Sequence, residues 1–395
     1  MISIITPTHN PKYLKDLEKS IINQRYKDWE WIILLNNGAE YHSDNPQIKI
    51  HKCPINSKSV GALKKYACSL ATGEIIVEAD HDDILMGDCL EKIKLAYDSD
   101  SDVGFVYSDN AKLSDNFVPY NSVYGWTFYK INFYRKELFV MHTQPQYPGR
   151  LGYIWYAPDH VRSWKKSVYD SIGGHNESLE ICDDLDLMHR LYLVTKFKYI
   201  PECLYVYRID GENTWLQRNA KIQQETVRIY NEDIWKLAER FCELNDLKKI
   251  DLCGGFNKPE GYISIDKFNG DITADLNEGI PLPDNSCGIV RAFDALEHLK
   301  DKQFIMSEIH RVLAPGGLLM SMTPSTDGRG AFQDPTHINF WNQNSFWYWT
   351  RPKIMKYINN EKVRFRECRL ETIYPSQWHE ENKISYVIAD LECLK

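Results

Sequence analysis

The sequence predicts an α/β chain made of two Rossmann-like units. Three observations predict it. Short β-rich runs alternate over residues 1–100 with segments whose apolar side chains recur at helical spacing, the pattern of a mostly parallel sheet with right-handed crossovers. The same alternation restarts at KKIDLCGG, beyond a long polar stretch that holds neither Pro nor Gly. The chain has 395 residues, 43% hydrophobic and 26% charged, enough for two cores. The expected division is 1–214, a helical connector over 215–246, and 247–395.

ISIITP is a strand ended by Pro7. Residues 12–25 place Leu14, Leu17, Ile21 and Ile22 on one helical face. WEWIILL and IKIHKC are the next strands, and 59–71 is a helix that Gly73 closes. EIIVEAD is a fourth strand, followed by a helix over 87–97. In the second half the strands are KKIDL, YISID, CGIVRAF and GGLLMSMTP, with a turn at PLPDNS and a helix over 301–313.

The net charge of −8 argues against nonspecific nucleic-acid binding, which needs Lys and Arg against phosphate. The ten cysteines form no CxxC pair, so they read as reduced thiols. MISIITPTHN has no basic segment ahead of its apolar run, and no apolar stretch is long enough to span a bilayer. A cytoplasmic location is expected. Aromatic side chains crowd 120–156, including Tyr120, Tyr124, Trp126, Tyr129, Trp155 and Tyr156.

EADHDD ends the fourth strand. In parallel sheets ligands gather at the carboxyl ends of strands. Asp80 and Asp82, one residue apart, can face one hard divalent cation. The plainer reading has Asp82 or Asp83 capping a helix that begins near Ile84.

ISIITPTHN, NQRYKDWEWIILLNNG, the helix with Lys64 and Lys65, ATGEIIVEADHDDIL and IGGHNESLEICDDLDLMHRL, in that order, resemble the family-two inverting glycosyltransferases of GT-A fold. The resemblance covers about residues 1–215. It implies a metal-dependent transfer of sugar from a nucleoside-diphosphate donor, with Mn²⁺ or Mg²⁺ held by Asp82, Asp80 and Asp210. Pro7, Thr8, His9, Asn36, Asn37, Lys64 and Asp80 are then expected on the donor. Asp184 is expected as the general base. Asp183 is expected beside it, supporting mainly the helix dipole. Gly174, Glu177, Asp183, Trp155 and Arg190 fall on the acceptor side. Glu78 is expected to matter less than Asp80 and Asp82. Three positions depart from the family pattern. Asn36-Asn37-Gly38 replaces an acidic turn, Lys64 replaces an Arg, and Asp210 replaces a His. An Asn oxygen still accepts from a uracil N–H, so the expected donor is a UDP-sugar.

IDLCGGFNKPEGYISID is a strand, a glycine turn and a strand ending in Asp266. Glycine lets backbone approach a nucleotide closely, and a carboxylate at the next strand end can take ribose hydroxyls. With ADLNEGIPLPDNSCGIVRAFDALEHL, EIHRVLAPGGLL and DPTHINFW, residues 248–350 resemble class I methyltransferases that use S-adenosylmethionine. The resemblance implies cofactor contacts from Cys253, Gly254, Gly255, Asp266, Asp275 and Asp294. Glu297, His298 and His337 are expected on the methyl-acceptor side. Cys253 stands where the family has its first loop glycine.

The expectation is therefore a glycosyltransferase fused to a domain that methylates the same product. The alternative is a C-terminal domain that only binds or docks. The acceptor can be glycan, protein, lipid or modified nucleic acid.

Overall fold

A computed structural model describes residues 1–54, 59–120, 125–154, 157–210, 213 and 217–395. Contacts divide the chain into two units, Met1–Gln146 with Leu151–Asp233, and Tyr147–Arg150 with Ile234–Lys395. The long helix Asn219–Asn245 covers most of the stretch expected as a helical connector, and the division between the units falls within it, at 233/234.

In the first unit the described strands are β1 (Ile2–Thr8), β2 (Trp29–Leu35), β3 (Ile48–Lys52), β4 (Ile75–Glu78), β5 (Ile84–Leu85), β6 (Val103–Leu113), β7 (Phe128–Phe133), β8 (Lys136–Met141), β9 (Arg162–Lys165) and β10 (Lys196–Arg208). They form one sheet in the order β3-β2-β1-β4-β9-β6-β10-β5, with the β7–β8 hairpin attached to β6. β1 to β4 run parallel, whereas β9 is antiparallel to both β4 and β6. Helices Leu14–Ile22, Val60–Ser69 and Cys89–Asp98 connect the first strands, close to the expected ranges. The core gathers Ile2, Ile4, Leu17, Trp31, Ile33, Val77 and Val106, all almost inaccessible to water. WEWIILL is buried at every position, which is why it reads as a continuous apolar run rather than an alternating one.

The second unit has β11 (Lys248–Leu252), β12 (Ile263–Asp266), β13 (Ile272–Thr273), β14 (Cys287–Phe293), β15 (Leu313–Pro324), β16 (Arg364–Ile373) and β17 (Tyr386–Leu394). Their order is β13-β12-β11-β14-β15-β17-β16. The first five are parallel, and β17 and β16 add an antiparallel edge. The order turns back between β11 and β14, the switch point at which such sheets bind ligands. β11 reaches β12 through Cys253–Tyr262 with no helix between them, an unusual crossover for parallel strands. No helix among the described residues is long and apolar enough to cross a membrane.

Candidate functional site

The acidic turn follows β4, and β10 holds it. The Asp80 N–H donates to the Tyr205 hydroxyl at 3.0 Å, and that hydroxyl donates to Asp83 Oδ2 at 2.8 Å. The Arg208 N–H donates to Asp83 Oδ1 at 2.7 Å, and its Nε donates to the Asp82 carbonyl at 2.7 Å. Asp83 is therefore a buried clamp and no helix cap, because Ile84–Leu85 pairs as a strand with β10 and the next helix starts at Cys89. Asp80 and Asp82 stay half-exposed. Burial raises the Asp82 pKa, and the charges of Asp80 and Asp210 raise it further. Such mutual repulsion suits a cation. These oxygens are not drawn together within 4.8 Å as a three-ligand cage, however. An open oxygen set fits a hard ion that keeps waters and takes the rest of its shell from a diphosphate.

Pro7 and Thr8 end β1, paired with Leu34 and Leu35 of β2. The Asn36 N–H donates to the Thr8 carbonyl at 2.9 Å. Asn36 Oδ1 is buried with no hydrogen-bond partner among the described residues. Asn37 has φ +50° and Gly38 φ +77°, so the turn after β2 needs residues that tolerate the left-handed region. His9 meets His81 edge to face at 5.3 Å, linking the β1 loop to the acidic turn.

Lys64 is placed differently from its expected role at the donor phosphates. Its Nζ lies 2.5 Å from Glu78 Oε1 and 3.4 Å from Asp183 Oδ2, with little exposure. Burial opposes its charge, yet Asp183 and Glu78 hold its pKa well above the ordinary value. Glu78 is 1% exposed and pairs with Lys64 inside the protein, away from the half-exposed Asp80 and Asp82. Burial would raise its pKa, but Lys64 and Arg162 carry it well below the carboxylate range. Asp183 does more than support a helix dipole. It is 4% exposed, and burial pushes its carboxyl up to about 6, against the pull of Lys64.

Asp184, the next residue, meets Arg162 instead of Lys64. Its Oδ2 accepts from Arg162 Nη1 at 2.7 Å, and its Oδ1 accepts from the Leu185 N–H at 2.9 Å. Two residues before Arg162, His160 puts Nε2 3.4 Å from Asp80 Oδ2 and stacks on Tyr205 at 4.7 Å. One short segment thus reaches both the acidic turn and Asp184. His160, Arg162 and Tyr205 had no motif to mark them. The only signal was polar side chains inside the apolar context of APDHVRSW.

Gly174 has φ +70°, and a Cβ there would meet the Tyr169 ring at 2.7 Å. Glu177 pairs with Lys65 at 3.0 Å on the surface. Arg190 turns back on its own helix, donating from Nε to Asp186 at 2.9 Å and from Nη1 to the Ile172 carbonyl at 3.1 Å. That brace holds the glycine turn rather than presenting a free guanidinium. Trp155 lies outside the described residues.

In the second unit the glycine turn, Asp266 and Asp294 follow β11, β12 and β14. Cys253 takes φ +55° and Gly255 φ +48°. A Cβ on Gly254 would fall 2.2 Å from Asp251 Oδ2. Asp251 itself is fixed by Arg291 Nη1, 2.8 Å from each oxygen. Burial pushes the Cys253 thiol up to about 12, which makes it inert rather than nucleophilic. Asp266 Oδ1 accepts from the Phe268 and Asn269 N–H groups, and Oδ2 faces Gly255. Asp275 pairs with Lys267 at 2.8 Å and with Asn277, which holds its pKa below the usual carboxylate range. The turn opens no helix, so it lacks the positive helix end that usually backs a nucleotide loop.

A cavity of about 200 Å³ lies beyond β14, with Asp294, Glu297, His298, Asp334, His337 and Tyr386 in its wall. Glu297 is 1% exposed, and burial pushes its carboxyl up to about 8. His337 packs against His298 at 5.0 Å.

Residues 3–150 match the family described as Glycosyl transferase family 2, and residues 255–321 match one described as Methyltransferase domain. Chondroitin synthase of Escherichia coli is 22% identical over 266 residues, 64% of this chain and 35% of the synthase. The chain thus spans about a third of that relative's length. A probable S-adenosylmethionine-dependent methyltransferase of Mycolicibacterium smegmatis is 40% identical over 62 residues, 15% of this chain and 24% of that protein. Among solved structures, S. aureus TarS 1–349 in complex with UDP-GlcNAc is 15% identical, with a TM-score of 0.44 over 61% of this chain and 66% of that one. The chain thus carries a segment that matches glycosyl transferase family 2 in its first unit, followed by a segment that matches a methyltransferase domain in its second.

Proposed function

We propose that the first unit transfers a sugar, with inversion, from a UDP-sugar to an acceptor hydroxyl, and that the second unit binds S-adenosylmethionine to methylate the same product. The observation that carries the first part is the segment His160–Arg162, which reaches Asp80 with one side chain and Asp184 with the other. That shared segment supports reading Asp184 as a base near the acidic turn. Asp184 takes the proton of the acceptor hydroxyl while that oxygen bonds the anomeric carbon, and the diphosphate leaves with the electrons of the broken C–O bond. Asp82, with Asp80 and Asp210, would hold Mn²⁺ or Mg²⁺, which supplies charge neutralisation at the leaving diphosphate. Asn36 Oδ1, buried and unpartnered among the described residues, is the acceptor for a uracil N–H.

The test is a screen of nucleotide sugars for metal-dependent hydrolysis. UDP-sugars should be turned over with Mn²⁺ or Mg²⁺, and Asp82→Ala should lower turnover by roughly 100-fold or more. Equal turnover by Asp82→Ala at saturating Mn²⁺ would overturn the metal assignment.

For the second unit one observation favours another reading. The turn after β11 opens no helix, and Cys253 stands at its first position. Both suit a domain that binds or docks without transferring methyl. Binding of S-adenosylmethionine to the whole chain separates the two.

A further inference from the structure

We propose that Glu297, His298 and His337 bind a divalent transition-metal ion at the wall of the cavity beyond β14. The three side chains come from segments about forty residues apart, yet one ligand atom from each lies within 4.8 Å of the others. Glu297 and His298 sit on the single turn Leu296–His298, and His337 follows the short helix Gly330–Gln333.

The hydrogen bonds fix which ring nitrogens are free. His337 Nδ1 lies 3.0 Å from the Ala331 carbonyl, and His298 Nδ1 lies 3.2 Å from the Thr336 carbonyl. A carbonyl only accepts, so each Nδ1 carries the proton and each Nε2 keeps its lone pair. Anchoring one nitrogen on a backbone oxygen is how metal-bound imidazoles are oriented. Neither Glu297 oxygen has a hydrogen-bond partner among the described residues, although the side chain is 1% exposed and lines the cavity. Ionising a buried carboxyl left so is costly unless a cation meets it.

His337 Nε2 stands 4.0 Å from Glu297 Oε1, too far for a hydrogen bond. Bonds of about 2.0–2.2 Å to a tetrahedral ion put two ligands roughly 3.3–3.6 Å apart, so small shifts would close the set. Asp334 Oδ2, 3.9 Å from His337 Nε2, offers a further oxygen at the rim. Two imidazoles with one carboxylate favour Zn²⁺, Fe²⁺ or Co²⁺ over Mg²⁺ and Ca²⁺. The remaining positions open on the cavity, where a hydroxyl-bearing ligand could bind.

The probe is Co²⁺, titrated into the full chain after chelation and dialysis. We expect a visible ligand-field band that saturates at about one equivalent and survives in Asp82→Ala, since the acidic turn offers no nitrogen. The band should be lost in His298→Ala/His337→Ala, and Glu297→Gln should weaken binding by about 100-fold. Zn²⁺ should compete with Co²⁺ and raise the melting temperature of the wild type but not of Glu297→Gln. If the double variant loses its native circular dichroism, His337→Gln replaces it, because its amide can keep the bond to Ala331. No band at millimolar Co²⁺, or an unchanged band in a folded His337 variant, would overturn the proposal.

Discussion

Arg162 Nη1 donates to Asp184 Oδ2 at 2.7 Å, and this pair ties the candidate base to the strand beside the acidic turn. Asp184 keeps lone pairs beyond the two bonds it accepts, so it can still receive a proton.

Asp184→Asn keeps the shape and the bond from Arg162 but removes the base. Transfer should fall by roughly 10²–10⁴-fold, while donor affinity stays within about threefold. Parallel transfer and donor-binding assays check this. Full activity in the variant would move the base elsewhere.

Lys64→Met should cost about 3–5 kcal/mol of stability, because it strands Glu78 and Asp183 in the interior. Urea denaturation reads the loss. Donor affinity, measured where the variant is folded, should change by less than about threefold. A larger drop would return Lys64 to the diphosphate.

His175 is buried, and its Nδ1 lies 2.8 Å from the Tyr169 hydroxyl. Burial, reinforced by the charge of Lys64, pushes its pKa down to about 3. The unfolded chain therefore binds a proton near pH 6.5 that the folded chain refuses. This contribution to stability is complete above about pH 6.5 and is lost as pH falls toward 3, by up to about 1.4 kcal/mol per unit. Denaturation at pH 7, 6 and 5 should show that slope, and His175→Gln should flatten it. Equal slopes in both proteins would contradict the assignment.

Asp266→Ala should reduce S-adenosylmethionine affinity measured by calorimetry and leave sugar transfer nearly unchanged. An absence of wild-type binding at millimolar cofactor would favour the docking reading of the second unit.

Much of this was legible in the sequence. Helices Leu14–Ile22, Val60–Ser69 and Lys302–Val312 lie close to where apolar spacing puts them, and the acidic turn follows its strand. Adjacent residues were harder. Asp183 and Asp184 are about 100° apart around a helix, so one meets Lys64 while the other meets Arg162, and the letters DD do not say which. Partners brought by distant strands were invisible. RSWK is too short for a period to emerge, and nothing in it announces a place between β4 and β6. The missing helix after β11 follows from a ten-residue spacing that looks ordinary until the strands pair in parallel.

The clamp of Tyr205 and Arg208 on Asp83 bears on how this domain can be cut or exchanged. The segment that matches family 2 stops at residue 150, yet β9 fills the gap between β4 and β6, and β10 holds the acidic turn. A fragment ending at 150 would keep Asp80 and Asp82 and lose what aims them. The smallest piece that keeps the acidic turn, its clamp and Asp210 together must run at least through Asp210.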